Sequence, residues 1–198
     1  LAFAAARRLG ITGIRTSLRS DFPTGAGLGG SSAVGVAMVA ALRHWSGQPA
    51  SDRAALAEES RSIEVEDVKV AGGRQDHYAA AFGGALDLSF GEATTVRSLA
   101  LAAPTRDAFE RQCIVAYTGQ SRISGDTITA VLDAWERGEP HVLQSLERMK
   151  ALAGEMALTL ERGDLDALGE LLDEHWRYQR ALHPAIPTER IDVLLAAA

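Results

Sequence analysis

The stretch Asp21-Phe-Pro-Thr-Gly-Ala-Gly-Leu-Gly-Gly-Ser-Ser-Ala-Val-Gly35 decides how this chain is read. Gly25, Gly27, Gly29 and Gly30 crowd a loop, and an apolar run with helical spacing begins directly after it. Ser31 or Ser32 can cap that helix, which the pattern carries to about Trp45 before Ser46-Gly47-Gln48-Pro49 breaks it. Small and branched apolar residues occur nearly all round it, so the helix is expected to be buried. A glycine loop that feeds a helix N-terminus suits an anion: backbone N–H groups close around it and the helix dipole adds to the attraction.

Around this stretch the chain reads as a mixture of helices and a few strands. Leu1 to Leu9 has the pattern of a helix closed by Gly10. Ile14 to Ser20 alternates apolar with polar residues and predicts a strand leading into the loop. Ser51 or Asp52 can cap a helix to about Val65. Ala71-Gly72-Gly73 forms a turn, and Gln75 to Phe82 a short helix ended by Gly83-Gly84. Leu86 to Phe90 and Thr94 to Leu101 read as strands around a Gly91-Glu92 turn, and Cys113 to Tyr117 as a third strand. The remainder reads as helices over roughly Ser124–Arg137, Pro140–Leu160 and Asp164–Leu182, with a further helical run over Ile191–Ala198. Strands and helices are not regularly interleaved, so the class is α+β, divided near Pro104.

Composition narrows the function classes. The chain has 198 residues, a net charge of −6, 46% hydrophobic and 23% charged residues. That balance is globular, and neither the totals nor any basic run suggests a nucleic-acid surface. The single cysteine, Cys113, excludes a disulfide framework and is expected in the core with its apolar neighbours. The five histidines, His44, His77, His141, His175 and His183, lack zinc-site spacing. No apolar run is long enough to span a bilayer, and the first residues lack the charge order of a signal peptide. A cytoplasmic enzyme or binding protein that engages no membrane is the expectation. Oligomeric state is not legible.

Two familiar phosphate loops fit poorly. Gly25-x-Gly27-x-x-Gly30 satisfies the dinucleotide fingerprint by spacing. That fold then needs a strand ending in an acidic residue about 20 residues on, and Asp52 instead begins a helical segment. A Walker A loop requires lysine after its last glycine, where this chain has Ser31.

The full string Pro23-x-Gly25-x-Gly27-Leu28-Gly29-x-Ser31-Ser32-Ala33 closely resembles the second motif, P-x-x-x-G-L-G-S-S-A, of the galactokinase, homoserine kinase, mevalonate kinase and phosphomevalonate kinase (GHMP) superfamily. Gly30 stands as an inserted residue, or in place of the first serine of the G-L-G-S-S-S found in the heptose-phosphate kinase branch. Gly73-Arg74-Gln75-Asp76-His77-Tyr78-Ala79-Ala80-Ala81-Phe82-Gly83-Gly84 is similar to that branch's G-K-Q-D-Q-Y-A-A-A-F-G-G, with Arg74 for lysine and His77 for glutamine. Ser62-Ile63-Glu64 resembles the superfamily's glutamate-bearing helix. Tyr117-Thr118-Gly119-x-x-Arg122-x-Ser124 resembles a Y-T-G-x-x-R-x-S segment of the same branch. His183-Pro184-x-Ile186 through Asp192 resembles the stretch before the last superfamily motif.

The resemblance implies the two-domain fold of that superfamily. Its N-terminal part is like the second domain of ribosomal protein S5, its C-terminal part is ferredoxin-like and helix-rich, and the chain is expected to be truncated at both ends. Residues 1–104 would be the central and C-terminal part of the ATP-binding domain, and 105–198 most of the C-terminal domain. Pro23, Gly25, Ala26, Gly27, Leu28, Gly29, Gly30, Ser31 and Ser32 would hold ATP. Ser32, with Ser31 as the alternate, and Glu64 would bind magnesium. Asp76 would accept the proton of the sugar hydroxyl or orient it; as a bare residue it can equally cap the helix through Tyr78. Arg74 could lower the pKa of Asp76 or neutralise phosphate. Arg122, with Gly119, could bind a sugar phosphate, or be a surface arginine. The implied activity is ATP-dependent phosphorylation of a sugar or sugar-phosphate hydroxyl. The nearest branch points to the anomeric hydroxyl of D-glycero-D-manno-heptose 7-phosphate. A fucokinase-like enzyme and a non-catalytic sugar- and nucleotide-binding protein are the alternatives.

Overall fold

Four α-helices make up most of the first 84 residues in a computed structural model that describes residues 1–21, 25–49, 52–118 and 125–197. α1 spans Ala2–Arg8, α2 Gly30–Trp45, α3 Arg53–Ser62 and α4 Gln75–Phe82. Asp52 caps α3, its carboxylate accepting the Ala55 N–H at 2.7 Å. α3 does not stop at a glycine or proline but widens into one π-helical turn, Ile63–Asp67. α2 is buried on one face only: Ser32, Gly35, Val36, Met38, Val39 and Leu42 point inward, while Ala37, Ala40, Ala41 and Trp45 are exposed. The expectation of a helix buried all round is corrected. Alanine is apolar enough to blur the pattern yet loses little by facing water.

The core here gathers Ala4, Ala5, Ile11, Met38, Val39, Leu42 and Ile63. Ile63 and Val39 are fully buried, each stabilising the fold by roughly 1.5–3 kcal/mol through removal of apolar surface from water. Arg43 fastens α2 to α3 by a two-pronged pair with Glu59, at 2.8 and 3.0 Å. Arg53 at the start of α3 donates to the Phe82 carbonyl at 3.0 Å at the end of α4.

These residues, Leu1–Gly84, form the body of one compact unit, while the strand pair and later helices group into a second. By contacts, therefore, the hairpin of β1, Leu86–Phe90, and β2, Thr94–Ser98, belongs with the later helices, although the sequence suggested a division near Pro104. The two strands pair antiparallel with Leu88 opposite Val96. α5 spans Ala103–Gln112, α6 Gly125–Glu136, α7 Pro140–Arg162, α8 Leu165–Ala181 and α9 Glu189–Ala197. Gly163 ends α7 in the left-handed region, and Asp164 caps α8 by accepting the Ala167 N–H. Ala134, Val142, Leu182 and Ile186 form the second unit's core.

Two predicted strands are absent. Ile14–Ser20 carries no regular secondary structure and joins no sheet among the described residues, and Cys113–Tyr117 does the same. Alternation marks an extended chain, but a strand also needs a ladder partner. Cys113 is exposed rather than in the core, and Ile114 and Val115 are 88% and 71% exposed. α5 went unread because its apolar positions are sparse. No helix among the described residues is long and apolar enough to cross a membrane.

Candidate active site

The loop enters α2 through glycines whose backbone no other residue adopts easily. Gly25, Gly27 and Gly29 have φ of 72°, 74° and 67°, and Gly29 is the N-cap of α2. No side chain caps the helix. Ser31 and Ser32 therefore lie within the first turn, which corrects the expectation that one of them is the cap. The amides of that turn, with the positive end of the dipole, suit an anion. Leu28 is exposed, as are Gly25 and Gly27, with Ala26 and Gly30 half-buried. Pro23, Gly119 and Arg122 lie outside the described residues.

Asp76 is brought to this loop by α4. It sits in the first turn, exposed, and Arg74 occupies the cap position. Asp76 is thus not the helix cap. A side chain at Gly29 would lie 3.2 Å from Asp76 Cβ and 3.3 Å from its Cγ, so the absent side chain of Gly29 is what admits the aspartate. The carboxylate of Asp76 and the N-terminus of α2 are neighbours. Arg74 turns elsewhere: its Nε lies 3.4 Å from Glu58 Oε1, an oxygen that also accepts the Tyr78 hydroxyl at 2.8 Å.

Glu64 is brought in by the π turn and is only 8% exposed. The His77 Nε2–H donates to its Oε2 at 2.9 Å, and His77 Nδ1 meets the Ser60 hydroxyl at 3.0 Å. Ser31 also hydrogen-bonds the Glu64 carboxylate. The His77 bond first, and the Ser31 bond against the opposing effect of burial, hold the Glu64 carboxyl below the usual carboxylate range. Ser32, favoured from sequence as the metal hydroxyl, is 4% exposed on the inward face of α2, whereas Ser31 is exposed beside Glu64. The structure brings together Gly29, Ser31, Glu64 and Asp76.

His77 and Ser60 were missed. A signal existed: Ser60 and Glu64 are four residues apart in a helical run, hence on one face. His77 follows Asp76 directly, so the two must leave α4 in different directions, about 100° apart.

Residues 1–84 match the family model described as the GHMP kinases N terminal domain. That span resembles the N-terminal domain of GHMP kinases, and within it lie the loop, Glu64, Asp76 and His77. A curated relative, the D-glycero-alpha-D-manno-heptose 7-phosphate kinase of Campylobacter jejuni, is 29% identical over 178 residues, covering 87% of this chain and 51% of the relative. The bifunctional fucokinase/GDP-fucose pyrophosphorylase of Arabidopsis thaliana is 26% identical over 190 residues, 92% of this chain and 18% of that protein. Among solved structures, a D-glycero-D-manno-heptose 1-phosphate kinase from Bacteroides thetaiotaomicron superposes with a TM-score of 0.67 at 26% identity, covering 82% of this chain and 46% of that one. The chain thus spans about half the length of the heptose kinases it matches. The α+β class and the GHMP kinase fold expected from the motifs are borne out.

Proposed function

We propose that the full-length protein is an ATP-dependent kinase that phosphorylates a hydroxyl of a sugar or sugar phosphate. The observation that carries this reading is the contact of Asp76 with Gly29, which sets an exposed carboxylate against the N-terminus of α2. The loop from Pro23 to Ser32 would hold the ATP phosphates on its amides. Asp76 would accept the hydroxyl proton or orient that hydroxyl, its oxygen would attack the γ-phosphorus, and the bond to the β-phosphate oxygen would break to release ADP. Removing the proton as the O–P bond forms is worth roughly 10²–10⁴ in rate.

Glu64 and a serine hydroxyl suit magnesium, which takes few protein ligands beside phosphate oxygens. When bound, magnesium would neutralise charge developing on the transferring phosphoryl group. The side chain of Ser31 fits the hydroxyl role better than Ser32, because it reaches Glu64. Arg74 acts at a remove, through Glu58, in this reading. Arg122 and Gly119 are assigned to the sugar phosphate, and the family domains to 1–104 and 105–198, on the motif resemblance alone. We place the protein in the cytoplasm, where ATP is available.

The substrate assigned is D-glycero-D-manno-heptose 7-phosphate, at its anomeric hydroxyl, because the Campylobacter relative is named for that sugar and this chain's segments resemble the motifs of the heptose-phosphate kinase branch. A fucokinase activity is the second reading, favoured by the Arabidopsis relative. ADP release by the full-length protein, assayed over heptose phosphates, fucose and other sugars with magnesium-ATP, decides between them. Nucleotide binding without turnover on any sugar would instead favour the non-catalytic binding protein.

A further inference from the structure

Consecutive residues of α4 serve different faces of the helix. Asp76 faces the loop at Gly29, while His77 enters the interior and is 1% exposed. Both ring nitrogens of His77 are engaged, Nδ1 with Ser60 at 3.0 Å and Nε2 with Glu64 at 2.9 Å. Ser60 is itself fully buried, and its hydroxyl fills the space that a side chain on Gly35 of α2 would occupy. An ionised carboxylate only accepts, so the Nε2 of His77 must carry the proton; in the neutral ring Nδ1 then accepts from Ser60. The ring cannot turn without stranding polar atoms in a buried place, which costs about 1–3 kcal/mol for each group left unpaired. The chain Ser60–His77–Glu64 thus links α3, α4 and the π turn.

We infer that His77 is a positioning residue for Glu64. Held by Ser60, it fixes one carboxylate oxygen so that the remaining acceptor positions of Glu64 turn toward Ser31 and the phosphate loop. This rests on the reading of Glu64 as a magnesium ligand. Groups that orient a ligand commonly change metal affinity by 10- to 100-fold when removed. Because Asp76 is the next residue on the same helix, α4 would set both the acceptor hydroxyl and the metal-bound phosphates as one rigid piece.

The test is the magnesium concentration needed for half-maximal binding of a non-hydrolysable ATP analogue to the full-length protein, measured by calorimetry on Glu64→Gln, His77→Met, His77→Gln and Ser60→Ala. Glu64→Gln and His77→Met should raise that requirement about tenfold or more. His77→Gln keeps an N–H donor for Glu64 and should recover most of the loss, a rescue that a purely space-filling role does not produce. Ser60→Ala should give a smaller rise, about threefold, and stands in if His77→Met does not fold. A shift in Glu64→Gln with His77→Met or Ser60→Ala at the wild-type value overturns the positioning role alone. An unshifted Glu64→Gln overturns the magnesium reading and this inference with it.

Discussion

Gly29 and Asp76 touch across the gap between α2 and α4, and the glycine's missing side chain makes the contact possible. Gly29→Ala would be strained twice, by its φ of 67° and by a Cβ at 3.2 Å from Asp76. Left-handed backbone at a non-glycine residue costs about 1–2 kcal/mol, so the melting temperature should fall. Turnover should fall further than stability alone explains, because Asp76 is displaced from the loop. An alanine variant with normal kinetics would show that the contact is incidental.

Asp76→Asn separates binding from chemistry. The amide keeps size and some hydrogen bonding but cannot take a proton. In the full-length protein kcat should drop by about a hundredfold or more, while the Kd for magnesium-ATP stays near wild type. Steady-state kinetics with a nucleotide titration reads both; a near-normal kcat removes Asp76 from the reaction.

Ser31→Ala and Ser32→Ala should part company. Ser31 is exposed and bonded to Glu64, so its loss should raise the magnesium requirement with little change in melting temperature. Ser32 is buried on the inward face of α2, so its loss should act chiefly on thermal stability. Sequence favoured the reverse assignment. Two adjacent serines are indistinguishable until the first helical residue is known, and that is Gly30 rather than Ser31.

The serine pair marks a limit of sequence reading. The loop, α4 and its aspartate were legible because glycine spacing and helix breaks are local properties. The exposed run Ile114–Val115 and the segment Ile14–Ser20, which belongs to no sheet among the described residues, were misread, because strand pairing depends on distant chain that alternation does not reveal. The bond from His77 to Glu64 joins residues 13 apart on two elements, and no periodicity spans them. Cys113 was assigned to the core from its neighbours, which are themselves exposed.

Gly35→Ala should destabilise the first unit by about 1–3 kcal/mol, the usual scale of overpacking, since its methyl would collide with Ser60 Oγ. Adding Ser60→Ala should restore part of that loss. Chemical denaturation of the single and double variants gives the coupling directly. Strict additivity would mean that α2 moves away from α3 instead.

Arg148 offers a pH-dependent test in the second unit. Its Nε donates to Glu174 of α8 at 2.9 Å and its Nη1 to Glu155 at 2.7 Å. The Arg148 bond holds the Glu174 carboxyl below its ordinary value. A folded pKa below the unfolded one gives stability that is present above the ordinary carboxylate pKa of about 4.3 and disappears as pH falls through the lowered value. Arg148→Met should therefore lower the melting temperature slightly at neutral pH, and the difference should vanish in acid. A difference that persists in acid would mean lost packing of the arginine stem rather than lost charge.

The π turn at Ile63–Asp67 makes this site sensitive to chain length. Such a turn takes one more residue per hydrogen-bonded ring than an α-turn. Deleting one residue between Ser60 and Gly72 would let the helix run on regularly, with a better local hydrogen-bond ladder. It would also move the point at which the downstream chain leaves the helix. Gly72, where an added side chain would stand in ordinary contact with Glu64 Oε2 at 3.7 Å, would lose that register. Among descendants of this sequence, then, gaps should be rarer in this segment than replacements at its exposed positions, even where the gapped chain folds more readily.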